Sequence, residues 1–250
     1  MRQSLFVLFL LASLPAAASH ARTLVLSAGS FADWHAPTSW SKGGFSVPFI
    51  EREVIGGHPG EYLRVAYERR GSVQNPWRVD TFWNRWPYHS PQISEEIRSL
   101  RISQDVRMIN GSSDGIETGL MLTQGGIHFI NRSPLLADAD WSVHSSSGLV
   151  SSDFAALVGI EGDGLDPNFH PDFSGSGYHI EFGFYIRLSV QPPNSQIITT
   201  VGLDNWRVEI DLVPEPAAFT MAGAACLALA TLRRRNSPPP RDRSTPLRRC

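Results

Sequence analysis

The sequence predicts an all-β fold, an antiparallel β-sandwich of the jelly-roll kind, and three observations carry that expectation. Short runs alternate apolar with polar residues through the middle of the chain. Gly/Pro/Asn/Asp clusters separate those runs, and no long window there keeps a 3.6-residue apolar period. Roughly ten strands in about 190 residues, joined by such turns, suit two packed antiparallel sheets.

Taken in chain order, Arg2, the apolar run Leu5–Leu11, the break at Pro15 and the small residues Ala16-Ala17-Ala18 form a secretory leader over residues 1–21. It implies passage through the Sec machinery and cleavage by signal peptidase. The apolar stretch falls short of the ~20 residues a spanning helix needs. Residues 22–212 then form the exported body. Tyr62–Tyr67 and Trp77–Trp83 alternate as strands do. Leu100–Ser103 and Val106–Ile109 read as one long strand with a bulge at Gln104-Asp105. Thr118–Thr123 and Gly126–Asn131 flank Gln124-Gly125 as a hairpin. Ser142–His144, Ala155–Ile160, Tyr178–Val190, Ile197–Val201 and Trp206–Leu212 complete the series, and Ser94–Ile97 fits one helical turn. Turn clusters at 56–60, 110–115, 162–168 and 192–195 punctuate them.

Charge and cysteine content narrow the chemistry. The chain has 22 Lys+Arg and 24 Asp+Glu. Residues 22–212 hold 14 of the basic and 22 of the acidic ones, a net −8, while the C-terminal tail is strongly basic. An acidic body argues against a nucleic-acid partner and suits a metal cation or a neutral polymer. The two cysteines, Cys226 and Cys250, both lie outside the body. Cysteine nucleophiles and Cys-zinc sites are thereby excluded from it.

Beyond the body, Ala217–Leu232 is an uncharged run of 16 residues followed at once by Arg233, Arg234 and Arg235. As a helix it spans about 24 Å, slightly thin for a ~30 Å bilayer core, and the arginines hold their end in the cytoplasm. Ahead of it, Pro214 and Pro216 keep Val213–Pro216 extended and open to a peptidase. Val213, Pro214, Glu215, Pro216, the apolar helix and the arginine cluster together closely resemble the PEP-CTERM sorting signal of bacterial exported proteins. That resemblance implies processing by an exosortase, transient membrane anchoring through the helix, and delivery to the cell surface or extracellular matrix. The sorting segment is then 213–235, and a disordered basic tail, 236–250, runs on past the arginines. A second resemblance rests on Gly57–Leu63, His170–Ser174, Ile180–Phe184 and Gly202–Val208. These look like the jelly-roll ectodomains often joined to such a signal, similar in outline to laminin-G-like and carbohydrate-binding modules.

Candidate sites are few. Trp77, Phe82, Trp83, Trp86 and Tyr88 crowd a short stretch. Alternation puts Trp77, Val79, Thr81 and Trp83 on one face and favours core packing for both tryptophans. Trp86 and Tyr88, in an Asn84-Arg85-Trp86-Pro87 loop, are the residues expected to meet a sugar ring. Asp163, Asp166, Asn168 and Asp172 make an oxygen-rich loop that could hold Ca²⁺, the one cofactor the sequence suggests. The Asp-x-Asp-x-Asp-Gly pattern is missing, however, and such clusters are also ordinary turn chemistry. Glu209 and Asp211 share a strand face, but the spacing of a jelly-roll glycosidase strand fails, which leaves a solvated edge. No His-Glu-x-x-His, Gly-x-Ser-x-Gly or phosphate-loop motif occurs. The sequence therefore points to a non-catalytic structural or adhesive surface protein that binds polysaccharide. The alternative is a divergent jelly-roll glycoside hydrolase or lyase, which would need two acids from among Glu117, Glu181 and Asp153 to converge in an aromatic cleft.

Overall fold

Alternating runs with both faces to bury pair into two antiparallel sheets. The protein, a computed structural model, is described over residues 22–27, 31, 34, 38–42, 48–69, 77–92, 95–111, 116–131, 139–159, 164–189 and 197–213. These residues form thirteen strands, a turn of 3-10 helix at Ser151–Asp153 and no α-helix. The six-stranded sheet contains β1 (Arg22–Ser27), β3 (Phe49–Gly57), β4 (Gly60–Arg69), β6 (Ile97–Asn110), β9 (Ser142–Leu149) and β13 (Ile197–Leu212). Its order is β3-β4-β13-β6-β9, with β1 also on β13. The seven-stranded sheet runs β11 (Leu165–Asp166), β10 (Phe154–Leu157), β8 (Ile127–Asn131), β7 (Ile116–Gln124), β12 (Ile180–Ser189), β5 (Trp77–His89), β2 (Thr38–Lys42).

The 16-residue β13 organises the first sheet. It lies along β6 on one side. On the other, Ile197–Leu203 pairs with β4 and Arg207–Leu212 pairs with β1. Inward residues of both sheets, among them Val65, Leu100, Val106, Leu120, Phe182, Phe184, Val201, Trp206 and Ile210, make one buried core. Trp34 enters that core from the segment after β1, its ring 5.0 Å from Phe184 and 5.2 Å from Trp206.

The predicted hairpin across Gln124-Gly125 is present as the β7–β8 turn at Gly125-Gly126. Both glycines have positive φ (60° and 80°), as a two-residue type I′ turn requires. The predicted bulge near Gln104-Asp105 is also present, but the extra residue lies on the partner strand. Asp204 faces Asp105 and Arg207 faces Ser103, so Asn205 and Trp206 of β13 oppose Gln104 alone. Ile197–Val201 and Trp206–Leu212, expected as two strands, are one strand bent by this bulge. The Glu209–Leu212 segment is not an edge, because β1 and β6 flank it. Glu209 pairs with Arg101 and Arg207, and Asp211 accepts from Thr23 and Ser99. The helical turn expected at Ser94–Ile97 is not formed at Ile97, which begins β6. The leader and the 214–250 segment lie outside the described residues. Among the described residues no helix is long and apolar enough to cross a membrane.

Arg78 and Asp80 of β5 point into the space between the sheets, beside Phe82. Arg78 Nε and Nη2 donate to Asp80 Oδ2 and Oδ1 at 2.6 and 2.8 Å, and Arg78 Nη2 also donates to Ser39 Oγ at 2.9 Å. Ser39 Oγ in turn donates to Asp80. Burial pushes the Tyr67 phenol well above its usual range, and the charge of Asp80 pushes it further up, so the ring stays neutral there. A buried, bidentate pair of this kind costs little when intact and much when halved. Asp80→Ala should lower the unfolding free energy by about 3–5 kcal/mol in urea titrations, because Arg78 is left charged and unpaired. The paired replacement Arg78→Met/Asp80→Leu should cost clearly less than Asp80→Ala alone.

Candidate functional site

The outer face of the seven-stranded sheet is apolar as well. Trp77, Val79, Met121, Ile130, Leu157 and Tyr185 form a second buried cluster there, with Trp83 and Leu165 packed against it. Trp77 is therefore buried as the alternation predicts, but on this outer face, not between the sheets. What covers it is the chain beside β11. A flat sheet would place β11 about 24 Å from β5 at ~4.8 Å per strand. Instead the sheet curls, and Gly164 comes against the Trp77 indole: a Cβ there would lie 2.7 Å from Trp77 Cη2. Gly164 has φ +77°, and its carbonyl accepts from Val158 N–H at 3.1 Å, which closes the covering turn. Arg187, opposite Val79 on the same face and largely buried, pairs with Glu117 at 3.1 Å.

The other half of the face is open. Its floor is a row across four strands: Tyr88 of β5 opposite Glu181 of β12, Glu181 opposite Thr123 of β7, Thr123 opposite His128 of β8. Three inter-strand steps make that row about 14 Å long. The next row inward is Trp83, Gly183, Met121 and Ile130, in the same strand order. Gly183 is obligatory, since a Cβ would fall 2.0 Å from Phe82 O and 2.7 Å from Met121 Cε. Ile130 leads on to a hollow of about 300 Å³ lined also by Asp153, Phe154, Ala155, Leu165 and His170. Tyr88 is 54% exposed, and Tyr178, 67% exposed, stands by the β7–β8 turn. The Trp83 and His128 rings are 5.6 Å apart, and His128 Nδ1 is 3.0 Å from Thr123 Oγ1.

Two local features shape this row. Between the Trp83–Gly183 and Tyr88–Glu181 pairs, β5 spends residues 84–87 against the single residue 182. The stretch expected to be a loop is thus a bulge inside β5, the position where a sheet admits Pro87. It sets Tyr88 on the outer face; the Trp86 side chain lies outside the described residues. The second feature is Gln124, buried at the end of β7. Its amide donates to Asp172 O at 2.8 Å and Tyr178 O at 2.9 Å and accepts from Asp172 N–H at 2.7 Å. One side chain thereby ties the 172–178 loop to the rim.

The oxygen-rich loop is divided by the fold. Asp166 Oδ1 accepts the Asn168 N–H at 2.9 Å in its own turn. Asp172 Oδ1 accepts from Ser174 N and Oγ, and these bonds, with a further one from Ser176, hold its carboxyl below the usual range. Asp163 lies outside the described residues. No group of three His, Cys, Asp or Glu side chains among the described residues is placed to hold a metal ion. The three acids named for hydrolysis are also apart. Glu117 faces Arg187 and Glu181 faces Thr123, six residues along β12 or about 20 Å. Paired glycosidase carboxylates stand ~5–9.5 Å apart. Asp153 accepts the Val150 N–H at 2.8 Å beside the hollow. Sequence reasoning missed Trp83, Thr123, His128 and Tyr178 as members of the face. Strand register brings Trp83, Thr123 and His128 together, and the Gln124 bonds to the 172–178 loop bring Tyr178 to the rim.

No protein-family model and no curated protein matches the chain. Among solved structures it is similar to the family 30 carbohydrate-binding module of a cellulosomal cellulase of Clostridium thermocellum. That match has TM-score 0.40 and 13% identity, and covers 77% of this chain and 99% of that one. It is also similar to a carbohydrate-binding module described for specific mannan recognition, at TM-score 0.39 and 10% identity, over 76% and 99% of the two chains. A structure concerning promiscuous carbohydrate-binding modules of the β-sandwich superfamily matches at TM-score 0.37 and 9% identity. There the match covers 71% of this chain but only 58% of the other.

Burial disfavours the imidazolium form of His128 and lowers its pKa. The unfolded chain, with an ordinary histidine pKa of about 6.5, therefore takes up that proton first as pH falls. Stability from this residue is complete above about pH 6.5 and is lost below it, levelling off beneath the folded-state pKa. Calorimetric Tm values between about pH 7.5 and 5 should fall less in His128→Asn than in the unaltered protein.

Proposed function

We propose that this is an exported surface or matrix protein whose body binds extracellular polysaccharide without altering it. The observation that carries this reading is the open half-face, where exposed Tyr88 and half-buried Trp83 flank a polar row of Glu181, Thr123 and His128. Sugar rings present C–H faces that pack on aromatic surfaces and hydroxyl edges that need donors and acceptors, and this row supplies both. About 14 Å of it suits a polymer laid across the strands more than a single small molecule. A hydrolase or lyase on the same face would need a second acid near Glu181, and Glu117 and Asp153 do not supply it. Native gels cast with a panel of soluble polysaccharides test the reading. At least one polymer should retard the protein, with no release of reducing ends, and Tyr88→Ala should weaken that retention about five-fold. No retardation by any polymer would overturn it, and reducing-end release would replace it with the enzyme reading.

We propose further that Val213–Arg235 sorts the protein through an exosortase. Support comes from the order of the motif Pro214-Glu215-Pro216, the uncharged run and the arginines, and from the fold. The last body strand ends at Leu212, and Val213 N–H still bonds Glu96 O at 2.7 Å, so the motif begins directly where the sandwich ends. In a host carrying the sorting machinery, replacing Pro214, Glu215 and Pro216 by alanine should leave full-length protein in the membrane fraction. Unchanged processing would remove this part of the proposal.

A further inference from the structure

We infer that the polysaccharide taken by this face carries amino groups, and that Glu181 holds one of them as an ammonium ion. The inference rests on the glycan-binding reading above and specifies the charge of the ligand. Glu181 sits in the middle of the open row, directly opposite Tyr88 on one side and Thr123 on the other. Directly paired residues on one sheet face have Cβ atoms about 4.5–5.5 Å apart, so the carboxylate is within reach of both neighbours. It is half-buried, and no described residue donates a hydrogen bond to it or forms an ion pair with it. That sets it apart from the other strand acids: Glu117 has Arg187, Asp80 has Arg78, Glu209 has Arg101 and Arg207, and Asp211 has Thr23 and Ser99.

An unpaired carboxylate beside an exposed tyrosine face matches a cation. The ammonium gains the ion pair and the attraction of the ring's π-surface together. The same carboxylate repels a uronate or sulfate at that position. No arginine or lysine side chain among the described residues shares the open half. Arg187 lies about 20 Å along β12 and is committed to Glu117. Burial lowers the pKa of His128, at the end of the row, and so disfavours a second cation there. Over longer range, the −8 net charge of residues 22–212 draws a polycation and disfavours a polyanion. Long-range charge alone would not depend on which carboxylate is removed, and that difference provides the test.

Titration calorimetry of the exported protein would compare three hexasaccharides at about pH 6, where amino groups are largely protonated. The probes are β-1,4-linked glucosamine, its N-acetylated counterpart and a mannuronate. Glucosamine hexamer should bind most tightly. Glu181→Gln should weaken it about five-fold while leaving the N-acetylated hexamer unchanged. Glu51→Gln, which removes an exposed carboxylate from the other sheet, should change neither. Preference for the N-acetylated or mannuronate hexamer would overturn the inference but leave the glycan reading standing. An equal loss in Glu51→Gln would do the same, by showing that only net charge matters. If none of the three binds and no panel polymer retards the protein, the glycan reading itself falls and takes the inference with it.

Discussion

The structure depends on a constraint in the seven-stranded sheet, which is apolar on both faces and can use the partner sheet to cover only one. The inner face packs against the six-stranded sheet. The outer face is left with Trp77, Val79, Met121, Ile130 and Tyr185, more apolar area than an exposed sheet surface carries without consequence. The chain meets this by curling the sheet until Gly164, next to β11, closes on Trp77 of β5. The cover reaches only half of the face. What remains open is the half that carries Tyr88, Glu181, Thr123 and His128, and so the same constraint both stabilises the domain and defines its candidate site.

A second constraint fixes the opposite sheet. Asp105 and Asp204 face each other across β6 and β13, both nearly buried, where two like charges would repel. The tip of the β3–β4 hairpin resolves this with donors. His58 N–H donates to Asp204 Oδ2 at 2.5 Å, and His58 Nδ1 lies 3.0 Å from Asp105 Oδ2. Asn205, in the left-handed region at φ 48°, donates from Nδ2 to Asp105 Oδ2 at 2.7 Å and also to His58 O. The Gly-His-Pro-Gly turn and the Leu-Asp-Asn strand are far apart in the sequence, and here they form one contact. Each would be an ordinary surface feature without the other. Together they lock the bulge that lets β13 serve β4 with its first half and β1 with its second.

The same facts explain what was legible in the sequence. The β7–β8 hairpin was readable because Gly125-Gly126 is a local requirement, settled by two backbone angles. The strands β4, β6 and β12 were readable because their apolar residues recur with period two. By contrast Phe49–Gly57 gives no clean alternation: it is an edge strand exposing Phe49, Val54 and Ile55 and carrying three charges in succession at 51–53. β1 and β2 are short and take their partners from distant parts of the chain, so nothing local announces them. In β5, parity grouped Trp77, Val79, Thr81 and Trp83, but burial on both faces hid which of them meets the partner sheet, and Pro87 suggested a loop where the strand merely bulges. Tyr88 was recognisable as a ligand candidate from its type and neighbourhood. Glu181 was named only as a possible catalytic acid and Thr123 and His128 not at all, because their place in one row is set by the register of four strands.

That register also bears on how such a face can work. On the proposed reading the ligand is a sugar polymer, which offers weak, repeated contacts, so affinity would depend on how little the protein must reorder to make them. The open row is built on four paired strands and not on loops. Its outer corner is held by the Gln124 amide, which spends one acceptor and two donor bonds on the 172–178 loop beside Tyr178. Gly183 cannot be enlarged without displacing Phe82 O, which keeps β5 and β12 close beneath Trp83. At the covered end, Gly164 resting on Trp77 fixes the curl of the sheet. Rigidity therefore reaches the face from three sides, each through a contact that serves the fold first. On the proposed reading, the contacts such a face would make with a ligand are separable from these, which keep the protein folded.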